Sequence, residues 1–310
     1  MELTDLRRVN WRKLQPVFEE EARCWKEQLR WDYGPSLELI RNFIQSHSLL
    51  GYAAWQKGEP AGYGFYILEE HKGLIGGLFV SSRFPPTEIA RLLLREILAS
   101  LRPLPHLARV EAQLMPGGTE MDDALAGEDF RIYHRQFMLM SLAGAPADGQ
   151  NKPSGLALSP WNDRWLRPAA RLIRLAYENH IDGEINDQYR SEEGANRFLR
   201  NIVYQRGCGE FLPRASFVLT FSESDVPIAL ILNSEVAPGV AHTTQVCVLP
   251  GYQGHGLGRG MLQASVCALE SLGYTALSLT VTCANRSAIA LYENMGFRAV
   301  RRFSAGVWLP

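Results

Sequence analysis

Residues 245–260 read Gln245-Val246-Cys247-Val248-Leu249-Pro250-Gly251-Tyr252-Gln253-Gly254-His255-Gly256-Leu257-Gly258-Arg259-Gly260. Val246 to Leu249 is a short apolar run that predicts a buried strand, and Pro250 stops it by withholding a ladder donor. Gln253, Gly254, Gly256, Gly258 and Gly260 crowd together next. Met261, Leu262, Val266, Leu269 and Leu272 then recur at helical spacing up to Gly273, a C-terminal stop. The order is strand, glycine loop, helix start. A helix N-terminus carries unpaired N–H groups and partial positive charge, and glycines let the backbone approach an anion closely. The stretch therefore predicts a pyrophosphate cradle. A glycine-rich turn that only caps a helix is the plainer alternative.

The spacing rules out two nucleotide loops. A P-loop needs Gly-Lys-Ser/Thr, but Gly258 is followed by Arg259 and Gly260. A dinucleotide G-x-G-x-x-G needs glycine at 259 or 261, where Arg259 and Met261 stand. The pattern Gln253-x-x-Gly256-x-Gly258 after a strand ending in Val-x-Pro instead resembles the coenzyme A-binding motif of the GNAT superfamily of N-acetyltransferases. Downstream, Tyr274 to Thr282 alternates as a strand, with Leu277, Leu279 and Val281 on one face. Asn285, Ala288, Tyr292, Gly296 and Phe297 follow, and they fill every fixed position of a second signature of that superfamily, N-x-x-A-x-x-x-Y-x-x-x-G-F. The close resemblance runs from Ser216 to Pro310, with a looser match back to Leu158.

The resemblance implies acetyl-CoA as cosubstrate and no metal. The backbone of Val246, Cys247 and Val248 would take the pantetheine arm like an added strand. Gln253 and the N–H groups of Gly254, His255, Gly256, Leu257, Gly258 and Arg259 would hold the pyrophosphate. Asn285 would contact the cofactor, and Tyr292 would protonate the leaving thiolate. In several relatives a glutamate four residues before the first pantetheine contact acts as base, and that position here is His242. Strand alternation keeps 242, 244 and 246 on one face unless a bulge intervenes. Glu235, near the end of the preceding strand, is the rival base. His180, Asp182, Glu184 and Asp187 lie where such proteins shape the acceptor pocket, and their acidity would draw a cationic amine.

The rest of the chain fits a soluble globular protein. It has 310 residues, 46% of them hydrophobic and 21% charged, with a formal net charge of -1, so no global basic field points to nucleic acid or a membrane. Its five cysteines are odd in number and scattered, so reduced thiols are expected. Met1 leads into charged residues with no signal-peptide core, and a cytoplasmic location is expected. The stretch from Ala143 to Gly155 is small, polar and rich in Pro and Gly, and it reads as a linker between domains at 1–145 and 155–310. Each side repeats one plan of helices, two strands around a tight turn, a third strand, a helix and further strands. The expected class is a mixed-sheet α/β fold with two GNAT-like acyl-CoA N-acyltransferase domains in tandem.

The two halves differ at the loop. Ser81-Ser82-Arg83-Phe84-Pro85-Pro86 stands where the second half has its glycines, and Gly118 to Phe130 keeps the length of the signature but lacks its tyrosine. The first half is therefore expected to be a degenerate copy, and the function to be N-acetyl transfer to a small-molecule amine at one C-terminal site. A peptide acceptor is the second choice. A non-catalytic acyl-CoA sensor is the alternative from another class.

Overall fold

A computed structural model describes residues 1–143, 155–205 and 208–310. Most of the expected linker, residues 144–154, lies outside the described residues. By contact the chain forms two compact units, Met1–Gln136 with Val300–Pro310, and Phe137–Ala299. The expected domains ended at 145 and began at 155. Here the divide falls inside a strand, and the last eleven residues, 300–310, join the first unit.

In the first unit the strands are β1 (Glu2–Asp5), β2 (Leu50–Gln56), β3 (Glu59–Glu69), β4 (Lys72–Val80) and β5 (Arg109–Gln113). The helices are α1 (Gln15–Leu29), α2 (Gly34–Gln45), α3 (Pro86–Leu101) and α4 (Asp122–Ala126), and β6 (Arg131–Ser141) leads out. β1 to β4 pair antiparallel in sequence order, and β4 pairs parallel with β5 across α3. The last strand of the chain, β13 (Arg298–Trp308), completes the sheet: Ala305–Trp308 pair antiparallel with Gln113–Val110. α3 packs its Ile89, Leu93, Ile97 and Leu101 stripe on one sheet face, with Trp308 in the same core. Val17, Phe18, Glu21, Trp25 and Leu29 form the buried stripe of α1.

The second unit comprises β7 (Leu156–Pro160), α5 (Leu166–Ala176), α6 (Ile181–Ile185), α7 (Glu192–Tyr204) and β8 (Glu210–Phe211). β9 (Phe217–Phe221), β10 (Pro227–Ala237), β11 (Val240–Val248), α8 (Leu257–Ser271), β12 (Ala276–Thr282) and α9 (Arg286–Asn294) follow. β7, β9, β10 and β11 pair antiparallel, and β11 pairs parallel with β12 across α8. Two cores sandwich this sheet. Met261, Leu262, Val266 and Leu269 of α8 pack with Ala229, Ile231, Leu277, Leu279 and Tyr292 on one face. Trp165, Leu172, Ile173 and Leu199 of the α5–α7 layer pack with Leu230, Leu232 and Cys247 on the other.

The units thus share one topology, and the likeness extends to detail. In each, the parallel ladder between the strand before the crossover helix and the strand after it covers four residue pairs: Lys72–Ile75 with Arg109–Ala112, and Val240–Thr243 with Ala276–Leu279. In each, a bulge follows close by, between Phe65 and Tyr66 on β3 and between Leu232 and Asn233 on β10. Beyond the ladder the first strand of each pair runs on without that partner, so the two strands diverge. No helix among the described residues is long and apolar enough to cross a membrane.

Candidate functional site

The glycine loop leaves β11 at the end where β11 and β12 have diverged. Pro250–Tyr252 form a single 3-10 turn, and Gln253 folds back so that its Nε2 donates to the Val248 carbonyl at 3.1 Å. Gly254 and Gly256 both take the left-handed conformation, with φ of 78° and 75°. Only glycine occupies that region without strain, which accounts for both residues. Gly256 is the N-cap of α8, and no side chain caps this helix start. A Cβ built on Gly254, Gly256 or Gly260 meets nothing within 4 Å. The loop therefore presents the unpaired N–H groups of a 15-residue helix to open space, and a bound pyrophosphate fits such a surface. His255 is exposed, and its Nδ1 lies 2.8 Å from the Gln253 carbonyl, a bond within the loop. Arg259 is exposed on the first turn and Leu257 is buried beneath it.

The first unit treats the same position differently. The Ser81–Pro86 loop has no open N-terminus, because Glu20 from α1 reaches it: Ser82 N–H donates to Oε1 at 2.7 Å and Ser81 Oγ to Oε2 at 2.6 Å. Burial works against the charge on Glu20, yet the Ser81 and Ser82 hydrogen bonds hold its carboxyl below the usual range. Pro85 and Pro86 withhold two further donors. The chain's own carboxylate stands at this loop.

On β11 the structure corrects the expected phase. Leu232 faces Gln245, while Asn233 faces Thr243, so Thr244 is the extra residue of a bulge. The bulge reverses the alternation. Residues 242, 244 and 246 do not share a face: His242 shares one with Gln245 and Cys247, and Val246 lies on the other with Thr243. His242 is buried, with its ring stacked on Phe137 at 5.6 Å and its Nδ1 2.9 Å from Ser278 Oγ. Ser278 donates its own proton to the Ala241 carbonyl at 3.1 Å. Ser278 Oγ thus lies between His242 Nδ1 and the Ala241 carbonyl.

Glu235 is at the opposite end of β11 from the glycine loop, paired with Ala241 and accepting Gly239 N–H at 3.2 Å. It also carries Tyr274, whose phenol is pushed up to about 12 by burial first and by Glu235 second. The structure does not bring Glu235 together with the loop.

α9 begins at Asn285, whose Oδ1 accepts Ala288 N–H at 3.2 Å as an N-cap. Asn285 Nδ2 is 3.3 Å from His180 Nε2, and His180 Nδ1 accepts Asp182 N–H at 3.1 Å. Thr282 donates to Asp182 Oδ1, which ties α6 to the end of β12. Tyr292, one turn and a half along α9, is buried in the α8-face core with its ring 5.8 Å from that of Phe297.

Sequence reasoning missed an aromatic group on the α5–α7 face. Tyr177 stacks on Tyr189 at 4.4 Å and meets His180 edge-on at 5.2 Å, while Tyr189 meets Phe198 at 5.1 Å. Burial drives the Tyr177 phenol well above its ordinary value, and the neighbouring Tyr189, Cys247, Asp182 and Tyr292 push the same way. Of these, Tyr189 is in direct ring contact with Tyr177. The only sequence signal was the spacing of Tyr177, His180 and Tyr189 in a polar connection. Among the described residues, no cluster of three or more His, Cys, Asp or Glu side chains is placed to hold a metal ion.

Residues 180–297, from His180 through Phe297, match the model of the acetyltransferase (GNAT) family. The match to that family is confined to this segment. A stretch of 70 residues is 46% identical to the [ribosomal protein bS18]-alanine N-acetyltransferase of Escherichia coli K12, covering 23% of this chain and 47% of that protein. The chain thus spans about half the length of the curated relatives it matches. Among solved structures, a GCN5-related N-acetyltransferase from Sphaerobacter thermophilus superposes with a TM-score of 0.71 at 15% identity, over 99% of this chain and 95% of that one. A tandem GNAT protein from the clavulanic acid biosynthesis pathway gives 0.66 at 14% identity, over 99% and 98%. At those identities the likeness shows the fold, and it shows it for both units of the chain: a mixed α/β GNAT fold, present twice.

Proposed function

We propose that the chain is an acetyl-CoA-dependent N-acetyltransferase with a single site in its second unit. One observation carries the reading. The divergent end of β11 leads directly into a helix start that is uncapped, glycine-lined and open, with Tyr292 buried beside the divergence. Coenzyme A supplies the thioester and its leaving thiol when bound. Backbone groups of Val246, Cys247 and Val248 would hold the pantetheine arm, and the N–H groups from Gly254 to Arg259 the pyrophosphate. Asn285 orders the start of α9, and that helix positions Tyr292.

Transfer requires a fixed thioester, a neutral amine and a proton for the thiolate. The Tyr292 phenol, ordinarily near pKa 10, delivers a proton to a thiolate near 8.5 against a small gradient, so its positioning carries the effect. His242 is the proposed base, through water where the amine is out of reach. Glu235 serves the β10–β11 turn and Tyr274. The acceptor is a primary amine. The expectation of a small molecule is balanced by relatives whose name specifies an alanine of a ribosomal protein, so both classes belong in the assay. The first unit is a scaffold, since Glu20 and two prolines occupy its loop, and the stoichiometry is one coenzyme A per chain.

The test is a coupled assay of free thiol release from acetyl-CoA with a panel of small amines and short peptides. Tyr292→Phe should lower kcat by about 10²-fold with little change in coenzyme A affinity, as for loss of a positioned proton donor. A kcat within threefold of wild type would remove Tyr292 as the acid. Tight coenzyme A binding with no transfer to any amine would instead make the chain a sensor.

A further inference from the structure

The formal net charge of -1 hides an uneven distribution. Residues 164–177 hold Arg164, Arg167, Arg171 and Arg174 and no acidic residue. Arg164 lies in the 3-10 turn Asp163–Trp165 that leads into α5, and the other three recur along α5 at spacings of four and three residues, which puts them on one stripe. Ala169, Leu172, Ile173 and Ala176 take the buried face of that helix. On α7, Arg197, Arg200 and Tyr204 form a second exposed stripe, opposite the buried Ala195, Leu199 and Ile202. The two helices lie side by side and antiparallel. At one end Tyr204 Oη donates to Asp163 Oδ2 at 2.8 Å, and at the other Arg171 Nε stands 3.9 Å from Glu192. Arg167, Arg197 and Arg200 fall between those two contacts, so the solvent side of the α5–α7 layer is a field of arginines. The fold does not demand this. α1, the matching first helix of the first unit, carries four glutamates against Arg23 and Lys26.

What these arginines meet within the chain narrows the partner. The Arg171–Glu192 contact, and Arg174 Nη1 at 3.7 Å from Glu178, are long pairs near the surface that neutralise little. Arg164, Arg167 and Arg200 are exposed and pair with no carboxylate among the described residues. Two of them rest on rings: the Arg164 guanidinium is 4.5 Å from the centroid of the buried Trp165, and that of Arg200 is 5.3 Å from the centroid of Tyr204. A stacked guanidinium is already ordered, so it loses little freedom on meeting an anion. No lysine occurs from residue 161 to 205, and the planar fork of arginine fits a phosphate. Tyr204 is 44% exposed although its hydroxyl is tied to Asp163, so a fixed ring is offered to solvent beside Arg200. An acidic polypeptide supplies carboxylates but no regular planar group for that ring. A nucleic acid strand brings phosphates and bases together, and only an unpaired strand frees a base to stack on a tyrosine.

We infer that the outer face of the α5–α7 layer binds single-stranded nucleic acid, with Arg164, Arg167, Arg171 and Arg200 on the phosphates and a base stacked on Tyr204. This function is separate from acetyl transfer and does not depend on it. RNA and DNA share the phosphodiester strand and the unstacked base, and binding to each names the source. α5 leads into the segment of His180, whose Nε2 is 3.3 Å from Asn285 Nδ2 at the start of α9. A strand lying along α5 therefore ends beside the candidate site of the same unit.

The experiment follows the anisotropy of short fluorescein-labelled oligo(U) and oligo(dT) titrated with the full chain. Binding of both strands, or of one of them, supports the inference. Displacing counterions from three phosphates gives a slope of about 2 in log Kd against log salt, so affinity should fall about 20-fold between about 50 mM and about 200 mM salt. Arg167→Glu combined with Arg200→Glu should weaken binding at least tenfold and flatten the salt dependence, and Tyr204→Ala should weaken it about fivefold or more. The same charge change placed in the first unit, Arg8→Glu with Lys13→Glu, both exposed, should leave Kd within threefold. An unchanged Tm shows that the variants stay folded; if the double variant melts early, Tyr204→Ala and the salt dependence carry the test. No binding of either strand at about 50 mM salt, or an equal loss in the Arg8 and Lys13 control, would overturn the inference. A duplex bound as tightly as the single strands, with Tyr204→Ala unchanged, would overturn it too. So would polyglutamate displacing oligo(U) as readily as unlabelled oligo(U) does, an outcome that would make the face a site for an acidic protein.

Discussion

Glu21 offers a measurable test of the first unit that is independent of catalysis. Its carboxyl is 2% exposed, between α1 and β3, with Tyr63 Oη donating to Oε2 at 2.5 Å and Trp25 Nε1 to Oε1 at 3.4 Å. Burial raises its pKa from 4.5 to about 7, against the pull of the Tyr63 and Trp25 hydrogen bonds. A folded-state value above the unfolded one means that the unfolded chain loses its proton first as pH rises. The contribution to stability is therefore fully present below about pH 4.5 and is lost progressively up to about pH 7. A shift of about 2.5 units at 1.36 kcal/mol per unit amounts to about 3 kcal/mol. Glu21→Gln keeps the shape, cannot ionise, and can still accept from Trp25 while donating to a rotated Tyr63 hydroxyl. Urea unfolding followed by tryptophan emission at pH 5 and pH 8 should show the variant gaining on wild type by about 2–3 kcal/mol between the two conditions. Taking the difference between proteins removes the titration of every other group. An equal gap at both pH values would mean that Glu21 is ionised in the folded protein at pH 5, and the buried-acid account would be wrong.

Two further outcomes follow from the second unit and the last strand. Gly256→Val should weaken coenzyme A binding at least tenfold by calorimetry: the φ of 75° disfavours valine by about 1–2 kcal/mol, and the new side chain projects into space where nothing lies within 4 Å. Unchanged affinity in the folded variant would remove the loop from the cofactor site. Ending the chain at Ala299 should expose α3 and β5 amides to hydrogen exchange while leaving those of α8 protected. It deletes the buried Phe303, Val307 and Trp308, on the order of 5–8 kcal/mol of burial, and strips β5 of its antiparallel partner. Retained protection in α3 would show that the first unit folds without its last strand.

The parts of this protein that were legible in the sequence are those fixed by neighbours along the chain. The glycine loop could be read because left-handed backbone at 254 and 256 demands glycine locally, and the α9 signature because Asn285 caps its own helix three residues on. The repeat was legible because both units use the same run of hydrophobic periods. Two features were set by partners far away in the chain. The bulge at Thr244 is a property of how β10 registers against β11, and no pattern within residues 240–248 records it. It moved His242 to the face opposite Val246 and aligned it with Gln245, which the alternation had placed on the other side. The final strand reads as the natural end of the second half, yet Ala305–Trp308 find their edge on β5, nearly two hundred residues earlier. A strand's apolar face specifies that it must be covered, and its open hydrogen bonds specify that it must be paired, but neither says by which sheet. Once β5 offers the edge, the two units cannot be separated by a cut at the linker. A fragment beginning at residue 155 would carry Phe303, Val307 and Trp308 with no sheet to join, so deleting the first unit would unsettle the last strand as well, and point changes such as Glu21→Gln are the cleaner probe of that unit's stability.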